Sequence, residues 1–176
     1  SGAATKQDYA YWANRVCGMV CVKTCVEAFG GECKSLHTWI ERGLAVNAYL
    51  TEKRKNNTTI EKGWLHAGLA DVMSAEGLET KVKASSIEDV LANLKSGNLV
   101  IASVSYEIGA ALPITHQGGH LVTVVGAVIS DERIEALIVH NPSGRTQELR
   151  NNAAIEVDRF TQAFSGRVII VGMRKS

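Results

Sequence analysis

Apolar residues at Val16, Met19, Val20, Val22, Val26 and Phe29 recur mostly at spacings of three and four and stop at the Gly30-Gly31 pair. That pattern predicts an amphipathic helix opening near Cys17. Ser35 is placed to cap a second, short helix through Leu36, Trp39 and Ile40 that ends near Gly43. The polar stretch Thr51 to Thr59 reads as a loop. Gly63 then precedes a third helix, with Trp64, Leu65, Leu69, Val72 and Met73 on its apolar face and Gly77 as its stop. Ser86 with Asp89 resembles a capping box for a helix over Ile87 to Lys95, closed at Gly97.

From Leu99 the period changes. LVIASVSY, HLVTVVGAVI, EALIVHN and RVIIVGM are β-branched runs of strand length between turn-rich segments. Asp158 is expected to cap one more helix, Arg159 to Phe164, between the last two strands. Helices first and strands afterwards is an α+β pattern, with N-terminal helices packed on a C-terminal antiparallel sheet. The 176 residues, 45% of them hydrophobic, suffice for one well-buried domain spanning 1–176.

Charge narrows the function classes. The net charge is +1 from 19 basic and 18 acidic residues, and Lys53 to Lys55 is the longest basic run. Neither a nucleic-acid nor an anionic-membrane partner is expected. No apolar run approaches the roughly 20 residues needed to span a bilayer, and the N-terminus carries no apolar signal core. A cytoplasmic protein is therefore expected. The four cysteines, Cys17, Cys21, Cys25 and Cys33, lie in the first fifth of the chain. Their spacing is unlike the paired knuckles of a tetrahedral zinc site, so no metal and no cofactor are expected, and Cys21 and Cys25 are expected in the core.

In the first turn of its helix, Cys17 would meet unpaired backbone N–H groups and the positive end of the helix dipole, both of which favour a nucleophilic thiolate. Gly18 beside it leaves room for a substrate carbonyl. Strands 120 to 129 and 134 to 140 flank the short turn SDER and should form an antiparallel hairpin. If its turn centres between Ser130 and Glu132, paired residue numbers sum to about 261 to 263, which puts His120 opposite or diagonal to Asn141. Nucleophile, base and orienting group would then stand together. Gly118 and Gly119 suit a site where substrate backbone passes close by. The residues taken alone leave plainer readings open. Cys17 could pack as a small hydrophobe, Asn141 could belong to an ordinary turn, and His116 or His140 could be the working imidazole.

With those residues assembled, the chain resembles the papain-like cysteine peptidases of the bacteriocin-processing, double-glycine leader type. The resemblance runs from YWANRVCGMVC through GWLHAGLADVMSAEGL and GGHLVTVVGA to HNPSG and FSGRVIIV. It implies a papain-like fold with Cys17 as nucleophile, His120 as base and Asn141 as orienting residue. Relatives often carry Asp before the Pro, where this chain has Asn141, as papain does. The family's leader peptidases place a Gln six residues before the Cys to help form the oxyanion hole, and Tyr11 stands there instead. Tyr11, Asn14 or the Cys17 N–H would have to serve. The expected activity is cleavage of a peptide or amide bond through an acyl-enzyme, with a peptide or peptide-like small molecule, free or carrier-bound, as substrate. The alternatives are an amide-forming acyltransferase that takes a thioester or amide, and a catalytically retired fold that binds a peptide-like molecule.

Overall fold

A computed structural model describes residues 2–110 and 112–174. Six helices and eight strands follow one another as α1 (Lys6–Trp12), α2 (Cys17–Ala28), α3 (Leu36–Ala45), β1 (Tyr49–Lys53), β2 (Thr59–Trp64), α4 (His66–Ala75), β3 (Leu78–Ala84), α5 (Ile87–Lys95), β4 (Leu99–Val104), β5 (His120–Ser130), β6 (Arg133–His140), β7 (Ala153–Glu156), α6 (Val157–Ala163) and β8 (Phe164–Met173). A 3-10 turn, Tyr106–Gly109, follows β4.

The main sheet is antiparallel, in the order β3-β8-β4-β5-β6-β7. Its central strands are covered on both faces, which is why they read as continuous apolar runs rather than alternating ones. Ile101, Leu121, Ile169 and Val171 pack against α2 and α4 in a core that includes Met19, Val22, Trp39, Leu69 and Met73. Val100, Ala102, Val122, Val124 and Val168 turn to the other face and meet Val90 and Phe160 of α5 and α6. The α+β class holds, with helices on both sides of the sheet.

The caps explain where several helices begin. Ser35 Oγ accepts from Thr38 N at 3.1 Å, and Ser86 Oγ accepts from Asp89 N at 3.2 Å, so α3 and α5 start where the residues predict. The segment expected as a loop is instead a hairpin. Tyr49 to Lys53 pairs with Thr59 to Trp64, and the exposed polar faces of these strands conceal them from a search for apolar runs. Trp64 accordingly belongs to β2 and Leu65 is the N-cap of α4, rather than both lying on the helix. α1, β3 and β7 were not foreseen either. α6 begins at Val157, with Asp158 inside its first turn and no side-chain cap.

Candidate active site

α2 opens at Cys17, with Val16 as N-cap, so the sulfur does sit on the first turn of the helix. The chain leading into it is braced from outside. Glu61 on β2 pairs with Arg15 and accepts a hydrogen bond from the Tyr11 hydroxyl at 2.8 Å. The Trp64 indole N–H donates to the Arg15 carbonyl at 2.5 Å. Gly18 lets that ring approach: a Cβ there would stand 2.8 Å from Trp64 Cγ. The space beside the thiol that a side chain would have taken is filled by the indole.

His120 is the first residue of β5 and is 5% exposed, and Asn141, just beyond β6, is 2% exposed. The β5–β6 register gives sums of 263 and 264, with Thr123 opposite His140 and Val124 opposite Val139. Position 141 therefore falls opposite 122, diagonal to His120. His120 Nε2 stands 2.8 Å from Asn141 Oδ1. The same oxygen accepts from the Ser143 N–H at 3.0 Å. A backbone N–H can only donate, so the amide presents its oxygen here, and the neutral imidazole must carry its hydrogen on Nε2. Nδ1 is left as the basic nitrogen.

Cys17, Asn14, Gly119 and His120 line two cavities together. One, of about 580 Å³, continues past Trp64 and Ser103 towards Arg167. The other, of about 260 Å³, runs past Tyr106 to Pro142 and Ser143. The Cys17–His120 pair thus stands at a junction with space on either side. Gly118 and Gly119 adopt φ of 75° and 90°, where a side chain would be strained, and they form the approach to His120. Tyr11 lines neither cavity, and its hydroxyl is engaged with Glu61. A larger cavity of about 770 Å³ lies beside α5 and α6 and contains neither Cys17 nor His120.

The electrostatics correct one expectation. Burial pushes the Cys17 thiol up, and nearby backbone N–H groups of Leu121, Gly18 and Cys17 itself offset only part of that. Burial likewise pushes His120 down, against the opposing hydrogen bond to Asn141. Both shifts favour the neutral forms, and at Cys17 desolvation outweighs the backbone N–H groups of the helix start, which by themselves favour thiolate. Cys21 and Cys25 are buried as expected, with Cys25 pushed up to about 12. Among the described residues, no group of three or more His, Cys, Asp or Glu is arranged to hold a metal ion. No helix among them is long and apolar enough to cross a membrane.

Of the other histidines, His66 lines the larger cavity with Cys17, and His37, His116 and His140 line neither cavity at the thiol. His140 pairs with Thr123 and lies near Cys21 and Thr24 of α2. His37 stands between Asp8 and Glu41. His116 stacks on Tyr106 with ring centroids 5.3 Å apart. In the loop before His120, Tyr106 borders the smaller cavity. Glu107 is buried there, and no local spacing signals it. Its carboxylate accepts from Thr115 N at 2.7 Å, Thr115 Oγ1 at 2.6 Å and Ser105 Oγ at 2.8 Å, which holds it down at about 2.

This arrangement of helix, sheet and cleft is the fold of the C39 cysteine peptidase domains, a papain-like class. The peptidase domain of Streptococcus ComA, a bifunctional ABC transporter of a quorum-sensing pathway, superposes with a TM-score of 0.62 at 14% identity, covering 92% of this chain and 93% of its own. A Bacillus anthracis protein described as a C39-like peptidase gives a TM-score of 0.65 at 14% identity, covering 93% and 91%. A double-glycine-motif protease of an AMS/PCAT transporter, solved with its leader peptide, gives 0.59 at 12% identity, covering 90% and 84%. No protein-family model matches the sequence, and no curated protein is detectably similar to it.

Proposed function

We propose that the protein is a thiol-dependent acyl-transfer enzyme that cleaves a peptide or amide bond through Cys17, His120 and Asn141. The observation that carries this reading is the buried 2.8 Å contact of Asn141 Oδ1 with His120 Nε2, which assigns the basic nitrogen to Nδ1 of a ring sharing its cleft with Cys17. Nδ1 takes the thiol proton as the sulfur attacks the carbonyl carbon. The Cys17 N–H and the Asn14 amide hold the oxyanion. Collapse breaks the C–N bond, and the departing amine takes the proton from His120. Water then loses a proton to His120 as it attacks the thioester; the C–S bond breaks, His120 returns the proton to the Cys17 sulfur, and a carboxylic acid leaves.

The substrate under this reading is a peptide or peptide-like small molecule, free or carrier-bound. A cytoplasmic setting suits a chain whose cysteines, Cys17, Cys21, Cys25 and Cys33, are all free. Space on both sides of Cys17 also suits an amine acceptor, in which case the same acyl-enzyme yields an amide.

The test is acylation by p-nitrophenyl acetate, read by nitrophenolate release and by peptide mass. An acetyl group should appear on Cys17, be absent in Cys17→Ala and form about 100-fold more slowly in His120→Ala. Chasing with glycinamide separates hydrolysis from transfer. Acetylation confined to exposed Cys33, or a rate indifferent to His120, would leave a binding protein on a peptidase fold as the better description.

A further inference from the structure

The larger cavity at Cys17 has charged residues on its wall, and all but one have partners. Arg15 pairs with Glu61, and Lys62 pairs with Glu52 at 3.1 Å. Arg167 has, among the described residues, neither a carboxylate within ion-pair distance nor a side-chain hydrogen bond, although it faces the same space. It stands opposite Ala84 in the β3–β8 ladder and shares a sheet face with Ile169 and Val171, the face covered by α2 and α4. His66, the first residue of α4, lines the cavity too, and its Nε2 is buried without a hydrogen-bond partner. The two side chains line one cavity, where burial, and after it the Arg167 charge, push the His66 imidazole below its ordinary value.

A guanidinium with its fork unoccupied is a set of hydrogen-bond donors waiting for an acceptor, and a neutral imidazole in the tautomer that carries its hydrogen on Nε2 adds one more. We propose that Arg167 and His66 form a carboxylate subsite, and that the substrate acted on at Cys17 carries a carboxylate at a distance the larger cavity spans. The guanidinium fork matches the two oxygens of a carboxylate, and His66 Nε2–H completes the set. A single uncompensated positive charge suits a monoanion better than a phosphate dianion, more so with Glu61 on the same cavity wall.

The inference rests on the reading of Cys17 as the reacting thiol, and its test keeps the two apart. Cys17 is alkylated by N-(3-carboxypropyl)iodoacetamide and by N-propyl iodoacetamide, with the modified residue mapped by peptide mass. The ratio of the two rates reports on the tail alone, whether or not His120 serves as a base. The carboxylate reagent should react about tenfold faster in the native protein, and the ratio should fall to about one in Arg167→Gln. Lys62→Gln, which removes a charge already offset by Glu52, should keep the native ratio. Equal rates in the native protein, or the same preference in Arg167→Gln, would overturn the subsite. In Cys17→Ala, glutarate should shift the His66 ring resonances at lower concentration than inorganic phosphate does. The reverse order would overturn the carboxylate assignment.

Discussion

Gly109 backs directly onto Asn141: a Cβ added at Gly109 would stand 2.6 Å from Asn141 Nδ2. Gly144 Cα and Ser143 O would each stand 3.3 Å from the same added atom, and Asn141 is buried, so neither side has much room to give. Asn141 shares a 2.8 Å hydrogen bond with His120, so under the proposed mechanism the 3-10 turn carrying Gly109 acts on the base at one remove. Gly109→Ala should lower turnover by about 100-fold, the cost typical of a misplacement near 1 Å. The NMR signature that separates this from simple destabilisation is loss of the Nε2–H tautomer of His120 in a protein that still unfolds cooperatively.

Asn141→Asp should raise the pKa of His120, because a carboxylate in hydrogen-bond contact favours the imidazolium. A base is lost when it is protonated, so the acid limb of the pH–rate profile should move to higher pH. The thiolate–imidazolium pair should become more populated in the resting protein, and iodoacetamide labelling of Cys17 at neutral pH should speed up. An unmoved acid limb would mean that His120 is not the group titrating.

In the native protein the two shifts set the pH window. His120 lies below the ordinary imidazole value, so the acid limb of activity should fall below about pH 6.5, and resting Cys17 should be alkylated quickly only above the ordinary thiol value of about 8.5. The stability consequence has a definite sign. Below about pH 6.5 the unfolded state binds the extra proton on His120 and above about 8.5 it releases the Cys17 proton more readily, so both groups lower stability outside that window. Urea midpoints across pH, compared with those of His120→Ala, measure the histidine share.

Glu107 should matter at the acid end for the opposite reason. Its folded-state value of about 2 lies below the unfolded value of about 4.3, so its contribution is complete above the unfolded value and is lost as pH falls through the folded one. Glu107→Gln should remove that part of the pH dependence. It should also loosen the segment from Ser105 to Thr115 that holds Tyr106 at the cleft, seen as faster hydrogen exchange at the Thr115 amide.

Much of this molecule was legible from residue order because its decisive features are local. α2 follows from a helical period closed by Gly30-Gly31, and α3 and α5 from a serine three residues before an amide it can cap. The His120–Asn141 pairing follows from the arithmetic of an antiparallel hairpin, with irregularities after Val124 and Val128 leaving the observed sums at 263 to 264. Of the strands that residue order does not reveal, β1, β2 and β3 lie largely exposed and carry no apolar signature, and β7 is only four residues long.

The sequence by itself determined that a cysteine opens a buried helix and that a histidine and an asparagine meet across one hairpin, since both depend on neighbours within a helical turn or a strand pair. Only the tertiary structure decided how the parts are used. It set the Tyr11 hydroxyl on Glu61, filled the space at Gly18 with Trp64, packed Gly109 against Asn141 and brought Arg167 and His66 to one cavity wall. Each of these joins segments distant along the chain, where no periodicity links the partners. The upward push on the Cys17 thiol arises in the same way, because desolvation depends on everything packed around the sulfur and not on its place in the helix alone.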